Sequence, residues 1–290
     1  MGSESRLFML AAMFLWVVLE AINATLHGYA ALQIVWTRYG THLLLMVMAF
    51  GPRHGFDLVK TGRRPLQIVR GLLMLAMPSS YVLAARTMHG SDLLSIFWLA
   101  PLITLALGHT LLGERAPWRW WLTTLLAYLG TLPIFSPGSG VLAPGSLFAI
   151  GMAASMSLYL VLTRSLSRTE ALLTNLFYTA AAVFCPLSVA LPAFWRPPTL
   201  GDGTKMIVIG LLGFAALWLL EKALGKSPAS ELAPIIYTQP LWTLAARSLG
   251  LGRWPSVSAI TGGIVLCGCL LDFFLQSKPW RRGPAASRPG

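Results

Sequence analysis

Residues 84–113 read AARTMHGSDLLSIFWLAPLITLALGHTLLG and residues 223–252 read ALGKSPASELAPIIYTQPLWTLAARSLGLG. Laid over each other at an offset of 139 without a gap, they share eleven of thirty columns. Ala84 meets Ala223, Ser91 meets Ser230, Leu93 meets Leu232 and Ile96 meets Ile235. Pro101-Leu102 meets Pro240-Leu241, Thr104-Leu105-Ala106 meets Thr243-Leu244-Ala245, and Leu112-Gly113 meets Leu251-Gly252. Self-similarity at a fixed separation marks an internal repeat, so the chain is read as one unit written twice.

The composition sets the solvent of that unit. Of 290 residues, 56% are hydrophobic and only 11% charged, with a mean hydropathy of +0.67. A water-facing surface needs about a quarter of its residues charged, so ordinary soluble enzymes and disordered chains are excluded. A polytopic membrane protein remains. Cys185, Cys267 and Cys269 all lie in apolar stretches, which argues against a disulfide framework or a zinc cluster.

A membrane helix needs about 20 mostly apolar residues. With Gly, Pro and charge clusters as punctuation, ten spans are expected: 7–26, 33–50, 66–85, 92–112, 118–136, 145–163, 172–194, 205–221, 230–250 and 256–276. The net charge of +12 falls in short clusters between these runs and forms no stripe with interleaved aromatics, so no nucleic-acid partner is expected. With the N-terminus inside, fifteen Lys and Arg fall in the inner segments and four in the outer ones. Basic residues favour the cytoplasmic side, so both termini are expected there.

The repeat unit then holds five spans, which is odd, so its second copy enters the membrane from the opposite side. The expected fold is all-α and integral to the membrane: ten helices in two inverted five-helix repeats, 1–138 and 139–278, with a disordered basic tail at 279–290. Inverted repeats are frequent in secondary transporters, where two pseudo-symmetric halves expose one central site to alternate sides.

At these segments the sequence resembles the EamA family of the drug/metabolite transporter superfamily. The resembling runs are Arg70-Gly71-Leu72-Leu73, Tyr81, Ala84-Ala85-Arg86, Ala100-Pro101-Leu102, Leu112-Gly113-Glu114-Arg115, Leu129-Gly130 and Pro137-Gly138. In the second half they are Ala223-Leu224, Ser227-Pro228-Ala229-Ser230, Ala233-Pro234, Tyr237-Thr238, Leu241-Trp242 and Gly252-Arg253-Trp254-Pro255. The resemblance implies a carrier of small organic metabolites with its cavity between helices one to four and six to nine. It also implies that helices five and ten are peripheral and available for a homodimer contact. The family usually has an acidic residue after the Gly in both copies; here Glu114 follows Gly113, but Arg253 follows Gly252. Residues 19–26, Leu-Glu-Ala-Ile-Asn-Ala-Thr-Leu, are similar to the first helix of the small multidrug-resistance pumps, whose glutamate binds protons and cationic drugs in competition.

Ionisable groups inside a span cost about 2.5–3.5 kcal/mol on insertion scales and are candidates for function. Glu20 is one, with Trp16 a turn before it and Asn23 three residues after, able to share its face. It is expected to carry proton coupling, or to sit at the interface paired with Arg38. Arg38, four residues before His42, is a partner for Glu20 or for a substrate carboxylate. Asp92 and Glu231, at equivalent helix starts, read as acids capping free N–H groups.

Tyr81, Trp98, Tyr159, Tyr178, Tyr237, Gln239 and Trp242 are expected to line the cavity. Trp98 and Tyr237 share a repeat column and would place a ring on each side. Pro101 and Pro240 are expected to kink helices four and nine as hinges. Gly145, Ala149, Ala153 and Ser157 form a small-residue row for close packing.

The competing reading is an integral-membrane enzyme acting on a lipid or small molecule. His89, Ser91 and Asp92 invite it, but three neighbours in one turn rarely reach triad geometry. There is no HExxH and no phosphate-cradling loop, so neither metal nor cofactor is expected. The expected function is export or exchange of small metabolites or drugs by alternating access, without catalysis, in a bacterial inner membrane.

Overall fold

The computed structural model describes residues 2–251 and 254–276. Arg253 and the tail 279–290 lie outside the described residues. Among the described residues all regular structure is helical. The elements are α1 Gly2–Asn23, α2 Ala31–Leu45, α3 Gly51–His54, α4 Arg64–Ala84, α5 Gly90–Phe97, α6 Ala100–Leu112, α7 Trp118–Phe135, α8 Ser146–Leu166, α9 Leu172–Ala190, α10 Leu200–Lys226, α11 Ala229–Leu232, α12 Thr238–Leu251 and α13 Val257–Gln276. A π-helical turn, Met46–Phe50, joins α2 to α3, and a 3₁₀ segment, Ala233–Tyr237, joins α11 to α12.

Seven helices among the described residues are long and apolar enough to cross a membrane: those starting at Ser3, Arg64, Gly90, Ser146, Leu172, Leu200 and Val257. The three other expected spans fall short for local reasons. Gln33, Arg38 and His42 dilute α2, Trp118-Arg119-Trp120-Trp121 opens α7 with polar-edged bulk, and the segment 230–250 is broken.

The breaks fall in the two segments whose sequences align, 84–113 and 223–252. Between α5 and α6 the helix is interrupted at Trp98-Leu99, and Pro101 sits in the first turn of α6. Proline is tolerated there because its missing N–H would find no partner in a first turn anyway. On the other side Pro234 lies inside the 3₁₀ segment, and Pro240 is again in a first turn, that of α12. The prolines thus start new helices after a break.

Packing is pairwise. Helix α1 runs along α10 and α4 along α8; α2 meets α10 and α4 meets α9; α6 meets α8 and α1 meets α12; α7 meets α13 and α2 meets α9. Glycines allow the closest approaches. A Cβ on Gly71 of α4 would lie 2.4 Å from the Ala182 Cβ of α9, and one on Gly262 of α13 would lie 2.5 Å from the Gly130 carbonyl of α7. The small-residue row of α8 also packs: Ala149, Ala153 and Ser157 are fully buried, and Gly145 abuts Thr87 and the Ala84 carbonyl. In lipid such van der Waals contact, rather than water exclusion, holds helices together.

Candidate functional site

The middle of the bundle contains charge. Arg70 of α4 is fully buried, and Nη1 donates to Glu221 of α10, also buried, and to Thr163 of α8 at 3.1 Å. Its Nη2 donates to the Asn175 carbonyl and, at 2.8 Å, to Thr179, both on α9. The Asn175 amide donates to the second Glu221 oxygen at 3.1 Å, and its own oxygen accepts from Gln67 at 2.6 Å. The Arg70 guanidinium also lies 5.4 Å from the Tyr159 ring centroid. Four helices from both halves of the chain therefore meet on one ion pair, with each carboxylate oxygen satisfied, as a buried pair requires.

Next to this network stands a cation of different character. Arg38 of α2 is 8% exposed, forms no ion pair among the described residues, and its Nε has no hydrogen-bond partner. Its guanidinium lies 5.0 Å from the Tyr39 ring centroid and 6.0 Å from that of Trp16, and its side chain crosses Gly213 of α10 beside His42. The Arg38 Nε, the Tyr39 hydroxyl, His42 Nε2 and the Tyr159 hydroxyl are buried without hydrogen-bond partners. Arg70 is within Coulombic reach of both phenols, which joins the two clusters.

The ends of the bundle differ. Where α1 begins, Arg6 holds Glu231 of α11 at 2.8 Å, Ser5 meets Ser227 at 2.6 Å, and Lys226 pairs with Glu4. Glu114, just past α6, accepts the backbone N–H groups of Ala229 and Ser230 at 3.1 and 2.9 Å, with Arg164 at 3.5 Å and Arg168 at 3.9 Å. This basic end is laced shut by charge. At the far end, Glu20 is exposed although it lies on the arc of α1 that buries Met9, Ala12, Met13 and Val17.

The candidate residues divide accordingly. Trp16, Arg38 and Tyr159 join the central clusters. Glu20 accepts from the Asn23 amide at 3.1 Å, so those two do share a face, and Glu20 forms no ion pair with Arg38. Trp98 and Tyr237 meet: the Tyr237 hydroxyl donates at 3.0 Å to the Trp98 carbonyl, with ring centroids 6.2 Å apart. The Tyr178 hydroxyl instead binds the Val59 carbonyl at 2.9 Å, fastening the loop before α4. Tyr81 is exposed, Gln239 half-buried, and Trp242 exposed with its edge on Phe14.

Asp92 and Glu231 do not cap their own helices: Asp92 accepts from the Gly138 N–H and Glu231 from Arg6, while the cap of α11 is supplied by Glu114. Arg70, Glu221 and Asn175 were passed over in sequence; the rule that an intramembrane charge is costly, applied to Arg70 and Glu221 at their span ends, points to them. Two surface clefts lie elsewhere. Val18, Ile22 and Val208 line one, and His54, Leu172 and Trp218 the other.

The profile of the EamA-like transporter family matches residues 5–136 and 143–273. The chain belongs to the EamA-like transporter family. EamA proteins form part of the drug/metabolite transporter superfamily, and the helices are those of an integral membrane protein. An S-adenosylmethionine uptake transporter of Rickettsia bellii is 24% identical over 81% of this chain and 80% of its own length. The uncharacterised transporter YwfM of Bacillus subtilis is 25% identical over 93% and 94%, and the pseudopaline exporter CntI of Pseudomonas aeruginosa 26% over 88% and 90%. A crystal structure at 17% identity superposes with a TM-score of 0.83 over 96% of this chain and all of its own, a likeness of fold. The EamA family and these relatives are transporters, not enzymes, which removes the enzyme reading. Consistently, no hydrogen bond joins His89, Ser91 and Asp92 among the described residues.

Proposed function

We propose that the chain is a secondary carrier that exports or exchanges small organic metabolites by alternating access. It is built from ten membrane-crossing helices in two inverted repeats, 1–138 and 139–278. The pairwise packing supports the repeats. Replacing each helix by its repeat mate, α1 by α8, α2 by α9, α4 by α10, α6 by α12 and α7 by α13, turns six of the pairs described above into one another and the other two, α7–α13 and α2–α9, into themselves. The two separate matches to the family profile agree.

The observation that carries the transport reading is the contrast between the two ends. Ion pairs bind the helices together at the basic end, while at the other end a carboxylate on the inward arc of α1 is exposed. A carrier caught open to one side has this form. The excess of basic residues in the loops at the laced end favours a cytoplasmic location for that end and for both termini, in a bacterial inner membrane. Helices α7 and α13 pack on each other and turn Leu125, Leu129, Ile264 and Leu271 outward, which suits peripheral helices in a homodimer.

We assign the coupling role to Glu20, which is exposed and one turn from Trp16. The relatives name both uptake and export, so exchange is tested first. Proteoliposomes loaded with S-adenosylmethionine should show counterflow of labelled S-adenosylmethionine or of another metabolite, and a pH gradient should drive net flux. Glu20→Gln is expected to abolish the pH-driven component while counterflow and expression persist; unaltered pH-driven flux removes the coupling role, and no counterflow with any metabolite removes the carrier.

A further inference from the structure

The Arg38 environment is out of balance in a way the rest of the interior is not. A guanidinium offers five N–H donors and stays charged. In Arg70 four of those donors, all on Nη1 and Nη2, are met by a carboxylate, a carbonyl and two hydroxyls, and only Nε lacks a partner. Arg38, more than nine-tenths buried, is in no ion pair among the described residues and leaves its Nε without a partner. The Tyr39 and Trp16 rings offset part of its charge but supply no carboxylate. Leaving a buried charge unpaired is among the largest penalties a fold can carry, and burying one in a span compounds it.

Counting charge sharpens the point. Arg70 and Glu221 neutralise each other, so the joined clusters retain one positive charge, on Arg38. Two further groups beside it, the Tyr39 hydroxyl and His42 Nε2, lack partners. An unpaired cation with adjacent unpaired polar groups matches what a single carboxylate brings: one negative charge and two oxygens with spare lone pairs. Trp16 links this point to the wet end, since it lies one turn from exposed Glu20 on the same face of α1 and faces the Arg38 guanidinium.

We infer that the Arg38 guanidinium, with Tyr39 and His42 beside it, is the docking point for a carboxylate borne by the transported solute. The inference rests on the carrier reading and narrows its substrates to organic carboxylates. Phosphate-bearing solutes carry more charge than the single unit left to neutralise, and so fit less well.

The test uses the full chain purified in detergent, with matched probes that differ only at the anionic group: benzoate against benzamide, L-phenylalanine against L-phenylalaninamide, and inorganic phosphate. Binding is read by calorimetry and by thermal unfolding, because a ligand that binds only the folded state raises its stability. The carboxylates are expected to bind and the amides not to, and Arg38→Gln to weaken carboxylate binding about tenfold or more. Arg38→Lys keeps the charge but loses the planar fork and should fall between, which serves if the Gln variant does not fold.

Equal binding of acid and amide, binding of phosphate alone, no binding of either carboxylate, or unchanged carboxylate affinity in Arg38→Gln each overturns the inference. Counterflow of amides as fast as of carboxylates would remove this site and leave the carrier standing. Carboxylate-selective binding lost in Arg38→Gln, with no flux of any solute, would keep the site and remove the carrier.

Discussion

Arg70 of α4 and Glu221 of α10 form an ion pair that neither water nor lipid reaches, and it joins the two halves of the chain. Because the partners lie 151 residues apart on different helices, the pair ties the relative position of α4 and α10 to the satisfaction of two charges. Removing one partner leaves the other charge buried and alone, whereas removing both leaves none.

Arg70→Met or Glu221→Leu alone is therefore expected to destabilise by about 3–5 kcal/mol, and the double variant by markedly less than the sum. Thermal unfolding in detergent reads this as a large drop in midpoint for each single variant and partial recovery in the double. Additive losses would mean that the two side chains act independently.

Glu114 does for α11 what a capping residue inside that helix does elsewhere, accepting two backbone N–H groups from a distance of more than a hundred residues in sequence. Losing such a cap costs about 0.5–2 kcal/mol. Glu114→Gln keeps the shape and weakens both these bonds and the attraction of Arg164 and Arg168. Hydrogen exchange at the Ala229 and Ser230 amides should then accelerate about tenfold, with exchange in the α7–α13 pair unaltered. Equal acceleration everywhere would indicate general unfolding rather than release of this latch.

The all-helical, membrane-spanning character of the chain was legible because lipid imposes long apolar runs, and seven of the ten expected spans are long and apolar enough to cross among the described residues. The broken segments were legible as prolines, but the break itself falls two residues before Pro101 and at Pro234 before Pro240, since a proline starts a helix more readily than it kinks one. Trp16, Arg38 and Tyr159 could be named from residue type alone. The Arg70–Glu221–Asn175 network could not, because its members lie 46 to 151 residues apart and nothing local marks them as partners. Asp92 and Glu231 were misjudged for the same reason: first-turn acids are ordinarily caps, and only the tertiary fold brings Gly138 and Arg6 to them.

Helices α7 and α13 cross so closely that Gly262 has no space for a side chain. Its Cβ would meet the Gly130 carbonyl at 2.5 Å and the Ile134 side chain at 3.0 Å. Backbone cannot yield as a flexible side chain can, so Gly262→Ala should cost about 1–3 kcal/mol by overpacking. Gly268, six residues further along α13, has nothing within 4 Å, and its Ala variant should unfold at or above the original temperature. Equal midpoints for the two variants would show that the crossing is looser than its geometry.

Tyr237 and Trp98 occupy the same column of the repeat, and the hydroxyl of one closes the carbonyl that the other's helix break releases. That single bond spans the two discontinuities, and in the alternating-access reading proposed above it is made between parts that move against each other. Tyr237→Phe deletes the donor, leaves the Trp98 carbonyl buried with one acceptor unmet, and keeps the ring in place against Trp98. A loss of about 1–3 kcal/mol is expected, from the stability of whichever conformation makes the bond. If only the present conformation makes it, the variant should shift the population toward the alternative by about five- to a hundredfold, visible as altered accessibility to solvent of the basic end. If both conformations make it, the midpoint of unfolding should fall while accessibility at the two ends stays as it was, and the junction would then be a fixed pivot rather than a latch.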